Sequence, residues 1–148
     1  MNIRWEPYVW KEAHPVEPVL AEKLEAVWGI QLPEEYKQLA PLHHGMSPIP
    51  NVFDIGESDN AFTCLLTLDS EESKAGYAIS TMYSLIKAHV PTGIFPFGMT
   101  PGGESICFDY RDAPPGQPRI VLVTIALEVY SIANSFREFL EGLHELRD

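Results

Sequence analysis

The sequence predicts a mixed fold of helices and strands, on three observations. Apolar residues at 16, 19, 20, 24, 27 and 28 recur with helical spacing. The closing stretch "NSFREFLEGL" sets Phe136, Phe139, Leu140 and Leu143 at i, i+3, i+4 and i+7, the stripe of a helix lying on a core. Between these ends lie short runs rich in β-branched and aromatic residues, among them "GIFPFG", "SICFD" and "RIVLVTIA". A length of 148 residues favours one domain, spanning 1–148. An aromatic share of 11% argues against disorder, because aromatics bury large areas.

Taken in order, residues 1–15 read as an irregular N-terminal arm that lays Trp5, Tyr8 and Trp10 on the body. A helix follows over 16–29, with Pro18 in its first turn and Gly29 as its stop. Pro33 suits the first position of a second helix, whose Glu34 and Glu35 complement the positive end of the helix dipole. Pro41 lacks an N–H and its ring displaces a carbonyl, so the helix is expected to end or kink there. Gly45 turns the chain. Residues 46–60 read as a loop around a short strand, 51–55, and 61–68 as a further strand. A third helix is expected in "GYAISTMYSLIKA", with Tyr77, Met82, Leu85 and Ile86 toward the core. Strands at 94–97 and 105–109 flank a glycine-rich turn. "RIVLVTIALEVYSIA" gives one or two more strands, and Ser135 with Glu138 matches the S-x-x-E capping box of the last helix.

Charge is the strongest functional signal. The net charge is −11, from 21 Asp and Glu against 10 Lys and Arg. Such a chain repels nucleic acid and anionic membranes. Two readings stand: acidity serves solubility alone, or an acidic face steers a basic protein partner. Lys and Arg are missing from 38–73 and from 88–110. The acids in or beside those windows are Asp54, Glu57, Asp59, Asp69, Glu71, Glu72, Glu104 and Asp109. These eight are the candidate partner-binding residues.

Catalytic and metal motifs are missing. The "TPGGES" turn lacks the G-x-x-x-x-G-K-[ST] pattern of a phosphate loop, and Glu104 beside the glycines would repel an anion. A bend between strands is expected, with Gly102 or Gly103 at positive φ. No C-x-x-C or H-E-x-x-H spacing occurs, and adjacent His43 and His44 would point in different directions, so no metal or cofactor is expected. Cys64 and Cys107 lie in apolar runs and read as buried free thiols; a disulfide between them stays open, but nothing points to an oxidising compartment. No apolar leader opens the chain and no apolar run approaches ~18 residues, so a cytoplasmic protein is expected.

In order along the chain, "WGIQLPEEYKQL", "HHG", "GIFPFG", the glycine-rich turn with "ESICFDYRD", and "YSIANSFREFLEGL" resemble the SUKH superfamily, the Smi/Knr-like domain, from about residue 16 to 143. The resemblance implies an α+β fold with a central, mainly antiparallel sheet flanked by helices. It implies no enzyme activity. Many bacterial members are immunity proteins that bind and neutralise a secreted toxin domain, often a nuclease or deaminase. The expected role is therefore an antitoxin whose partner is a basic toxin domain. The alternatives are a regulatory or scaffold module with another protein partner, and an enzyme with a dispersed site. Residue by residue, Leu32, Pro33 and Tyr36 match the family's LP-x-x-Y entry to the second helix, and Gly45 its glycine turn. Phe97 and Gly103 match the strand–turn–strand, and Ser135, Phe136 and Phe139 the closing S-F-x-x-F. Glu104 stands where Asp is common, and His43-His44 replaces the usual Asn-Gly approach.

Overall fold

A computed structural model describes residues 3–69 and 72–146; the side chains of 72 and 73 lie outside that description. Among the described residues nine strands and four α-helices follow in the order β1 (Arg4–Pro7), α1 (Val19–Trp28), α2 (Glu34–His43), β2 (Met46–Ile49), β3 (Val52–Ile55), β4 (Ser58–Ala61), β5 (Cys64–Leu65), α3 (Ile79–Ile86), β6 (Ile94–Met99), β7 (Ser105–Asp109), β8 (Arg119–Val123), β9 (Val129–Ala133) and α4 (Phe136–Glu141). A short 3-10 helix, Glu72–Tyr77, precedes α3. The central sheet is antiparallel, in the order β5-β6-β7-β8-β9, and two antiparallel pairs, β1-β2 and β3-β4, stand beside it. The architecture is α+β.

Side-chain alternation divides β7 and β8 between two apolar clusters. Ile106, Phe108, Ile120 and Leu122 join the main core with Tyr36 of α2, Phe97 of β6, and Phe136, Phe139 and Leu140 of α4. Cys107, Val121 and Val123 turn the other way and meet Ile86 and Ile94. With both faces covered, β7 is buried along its whole length. That is why the strand carries three consecutive apolar residues, Ile106, Cys107 and Phe108, with no polar alternation among them.

The LP-x-x-Y entry is a packing device. Pro33 is the N-cap of α2, and Leu32 and Tyr36 are buried. Glu25 on α1 accepts the Leu32 N–H at 2.7 Å and pairs with Lys37 at 3.4 Å, joining the two helices. At the other end of the chain Ser135 accepts the Glu138 N–H, which is the serine half of the capping box. Phe136, Phe139, Leu140 and Leu143 are all buried, as the stripe requires.

Several expectations need correction. The segment read as an irregular arm contains β1, paired with β2 in the register Trp5↔Pro48. The supposed loop at 46–60 holds three strands. The strand expected over 61–68 shrinks to β5, because Thr67 leaves the line of β6 to give its N–H to Tyr77. Pro41 does not end α2, which runs on to His43. A proline so close to the C-terminus removes one internal bond. The helix still closes with His44 N–H on Ala40 O at 2.8 Å, and the Pro41 carbonyl accepts the Val16 N–H at 2.9 Å. Leu85 is 63% exposed, because Ile79, Met82 and Ile86 occupy the buried face of α3.

Candidate functional site

The hairpin of β3 and β4 carries three of the eight acids. Its register sets Asp54 directly opposite Asp59, with Glu57 in the turn. Directly opposed residues project from one face of a strand pair, so the two carboxylates are neighbours. Glu57 and Asp59 are exposed and Asp54 is half-buried. A third group reaches the pair from the far end of the chain. Residue 144 follows α4 and forms a backbone bridge to β3: Val52 N–H donates to His144 O at 3.0 Å, and His144 N–H to Val52 O at 2.9 Å. That bridge brings His144 Nε2 to 3.0 Å from Asp54 Oδ1. One ligand atom each from Asp54, Asp59 and His144 lies within 4.8 Å of the others.

The remaining candidates are dispersed. His14 Nε2 donates to Asp69 Oδ2 at 3.0 Å, and the His14 ring stacks on Trp10 with centroids 4.0 Å apart. Beside them His44 is fully buried. Its Nε2–H donates to His14 O at 2.6 Å, and its Nδ1 accepts the Leu68 N–H at 3.0 Å. Those two bonds define a neutral ring, and burial pushes its pKa below 6.5. Asp69 therefore belongs to a clasp that holds the chain around residue 14 to the body. His43 points elsewhere and stacks on Trp5, so the two histidines diverge as expected.

Asp109 leaves the set of partner-binding candidates. It is buried at the end of β7, and Arg111 holds its carboxylate through Nε at 3.0 Å and Nη2 at 2.9 Å. Burial raises its pKa, but those bonds and the guanidinium charge outweigh it and hold the carboxyl below the usual range. Glu71, and the side chain of Glu72, lie outside the described residues. Glu104 is half-buried in the β6–β7 turn.

Amides of that turn are used within the turn itself. Gly103 N–H donates to Thr100 O, and Glu104 N–H to the Thr100 hydroxyl at 3.1 Å. Gly103 has φ +81°, the conformation for which glycine is needed. The two cysteines are buried free thiols in separate parts of the sheet. Burial pushes the Cys64 thiol up to about 12 and raises that of Cys107 as well, the reverse of an activated nucleophile.

His144 is the neighbour of the acidic pair that sequence reasoning left unassigned. It lies 90 positions from Asp54. No spacing rule joins them, because the link runs through the Val52–His144 bridge.

An antiparallel five-stranded sheet packed against helices defines a domain of the α+β class. The chain belongs to the SMI1/KNR4 family (SUKH-1), whose model matches residues 15–142. Membership supports a domain of the immunity-protein type with a protein partner such as a toxin; such domains are generally non-catalytic. Comparison with curated proteins finds no match. Among the described residues no helix is long and apolar enough to cross a membrane.

Proposed function

We propose that this chain is a cytoplasmic immunity protein, acting as one domain, that binds a basic toxin domain and neutralises it by covering its active surface. The observation that supports this best is the acidic β3–β4 hairpin, with Asp54, Glu57 and Asp59 in a window, 38–73, without Lys or Arg. A nuclease must hold a polyanion, so its cleft is basic, and an acidic hairpin matches that cleft in charge. Opposite charge across an interface acts mainly on the association rate and is screened beyond ~8–10 Å at physiological salt.

Glu57 and Glu104 are the residues to reverse, since neither has a place in the buried clasp of Asp69 or the ion pair of Asp109. Any short C-terminal toxin domain found in a neighbouring open reading frame is co-expressed with the wild type and with Glu57→Lys/Glu104→Lys, and association is timed at two salt concentrations. The variant is expected to associate more slowly, with a weaker salt dependence, and to protect cells less well. Unchanged rates and full protection from a folded variant would reject the acidic interface. A wild-type chain that neither binds nor protects would reject the immunity role itself.

A further inference from the structure

We propose that the free edge of β9, with the tip of the β8–β9 hairpin, is a docking surface for an extended, lysine- or arginine-bearing segment of a partner protein, which adds a strand to the central sheet.

The two edges of that sheet differ. At one, β5 is covered: β2 packs beside it, and the Gly45 N–H donates to Leu65 O at 2.9 Å. At the other, β9 is the last strand of the ladder among the described residues. Residues opposed across an antiparallel pair alternate between bonded and non-bonded. Thr124 N–H donates to Glu128 O at 2.9 Å, which makes these two a bonded pair. Val123↔Val129 is then non-bonded, Leu122↔Tyr130 bonded and Val121↔Ser131 non-bonded. The N–H and C=O groups of Val129 and Ser131 therefore aim away from β8, toward the free edge. β3 packs against β9 without joining its ladder, and Tyr130 and Ser131 stay exposed. "VYSIA" holds neither charge nor proline, the residues that usually blunt an edge. The register shift at Ile120/Val121 limits the regular open stretch to residues 129–131.

The second observation is the hairpin tip. Leu127 has φ +66°, a left-handed conformation that suits glycine or asparagine and strains a bulky residue. Ile125 is 70% exposed, and Leu127 and Tyr130 are exposed as well. A solvated turn has no use for three large apolar side chains, one of them kept against backbone preference; an interface centre does.

Charge selects the occupant. No Lys or Arg lies between Arg119 and Arg137. Glu128 follows Leu127, and Glu104 lies in the turn beside Ile125, whose Cδ1 is 3.7 Å from the place a Cβ on Gly103 would take. An apolar centre beside acids fits an added strand with basic side chains. A second copy of this chain would bring the same acids and a further net charge of −11 against them. Such a strand belongs to the basic partner proposed above and so rests on that reading; a synthetic peptide tests it without the toxin, so the two fail separately.

The probe is the peptide Lys-Val-Lys-Val-Lys-Val-Lys, titrated at low salt into the isotope-labelled full chain and followed by amide resonances. Saturable shifts at residues 127–131 are expected, with hydrogen exchange slowed at Val129 and Ser131. The same peptide with glutamate in place of lysine is expected to leave them unmoved. Ser131→Pro removes an outward N–H that the ladder with β8 does not use, and is expected to weaken binding about fivefold or more. Leu127→Gly relieves the backbone while removing the side chain, so it is expected to keep or raise the melting temperature and still weaken binding by about that factor. Circular dichroism of each variant checks folding. No saturable shift at 127–131, equal binding of the acidic peptide, or unchanged affinity in the folded variants overturns the proposal. So does a dimer in sedimentation that Ser131→Pro abolishes, which would give the edge to a second copy.

Discussion

Truncation of Phe139 tests the packing on which the rest depends. Its ring is 2% exposed and sits among Phe53, Phe62 and Phe97, with centroids 5.7, 5.5 and 5.9 Å away. Phe139→Ala removes ~150 Å² of buried apolar surface, worth ~4 kcal/mol at ~25 cal/mol/Å². Partial collapse of the site and the cavity left behind spread the expected loss over about 3–5 kcal/mol. With an m-value of about 2 kcal/mol/M, the urea midpoint should fall by about 1.5–2.5 M. At about 2–4 °C per kcal/mol, the melting temperature should fall by about 6–20 °C. The control is Leu85→Ala, where the side chain is 63% exposed and the expected change is within about 0.5 kcal/mol. Urea unfolding followed by tryptophan fluorescence measures both. Equal midpoints for Phe139→Ala and the wild type, or a larger loss from Leu85→Ala, would refute the assignment of α4 to the core.

Three further outcomes follow from buried groups. Tyr36 Oη is buried without a hydrogen-bond partner among the described residues, so Tyr36→Phe should leave stability unchanged or raise it by up to about 1–3 kcal/mol; a clear loss in urea would mean the hydroxyl is paired. His44 has a folded pKa below 6.5, so its contribution is full above that value and is lost as pH falls from there toward the folded pKa. His44→Asn, which offers a donor to His14 O and an acceptor to Leu68 N–H, should flatten the stability profile between pH 7 and 5; an unchanged slope would exclude His44 as the titrating group. Gly45 has φ +74°, and an added Cβ would lie 2.7 Å from the Trp10 ring, so Gly45→Ala should cost at least about 1–2 kcal/mol and shift tryptophan emission. An unaltered midpoint and spectrum would contradict that close approach.

What the sequence by itself determined is whatever depends on neighbours along the chain. The stripe of α4, the Ser135 cap, the Gly29 stop, the strands β6 to β8 and the glycine turn between β6 and β7 are local, and each was legible from spacing and residue type. The ordered motifs likewise sufficed to place the chain with the SUKH proteins. Elements stabilised by distant pairing were not legible. β1 exists because β2 lies beside it across about forty residues of chain, and an arm without regular apolar spacing gives no periodic signal of that. Pro41 stays within α2 because the surrounding packing tolerates one missing bond so near a helix end. The site divides in the same way. Acidity and the cation-free windows are composition, visible in one dimension. Which acids are surface and which are structural is a matter of partners in space: Arg111 takes Asp109, and His14 takes Asp69. The meeting of Asp54, Asp59 and His144 is decided by tertiary structure alone. Strand register sets the two acids opposite each other, and one backbone bridge brings in His144 from 90 positions beyond Asp54.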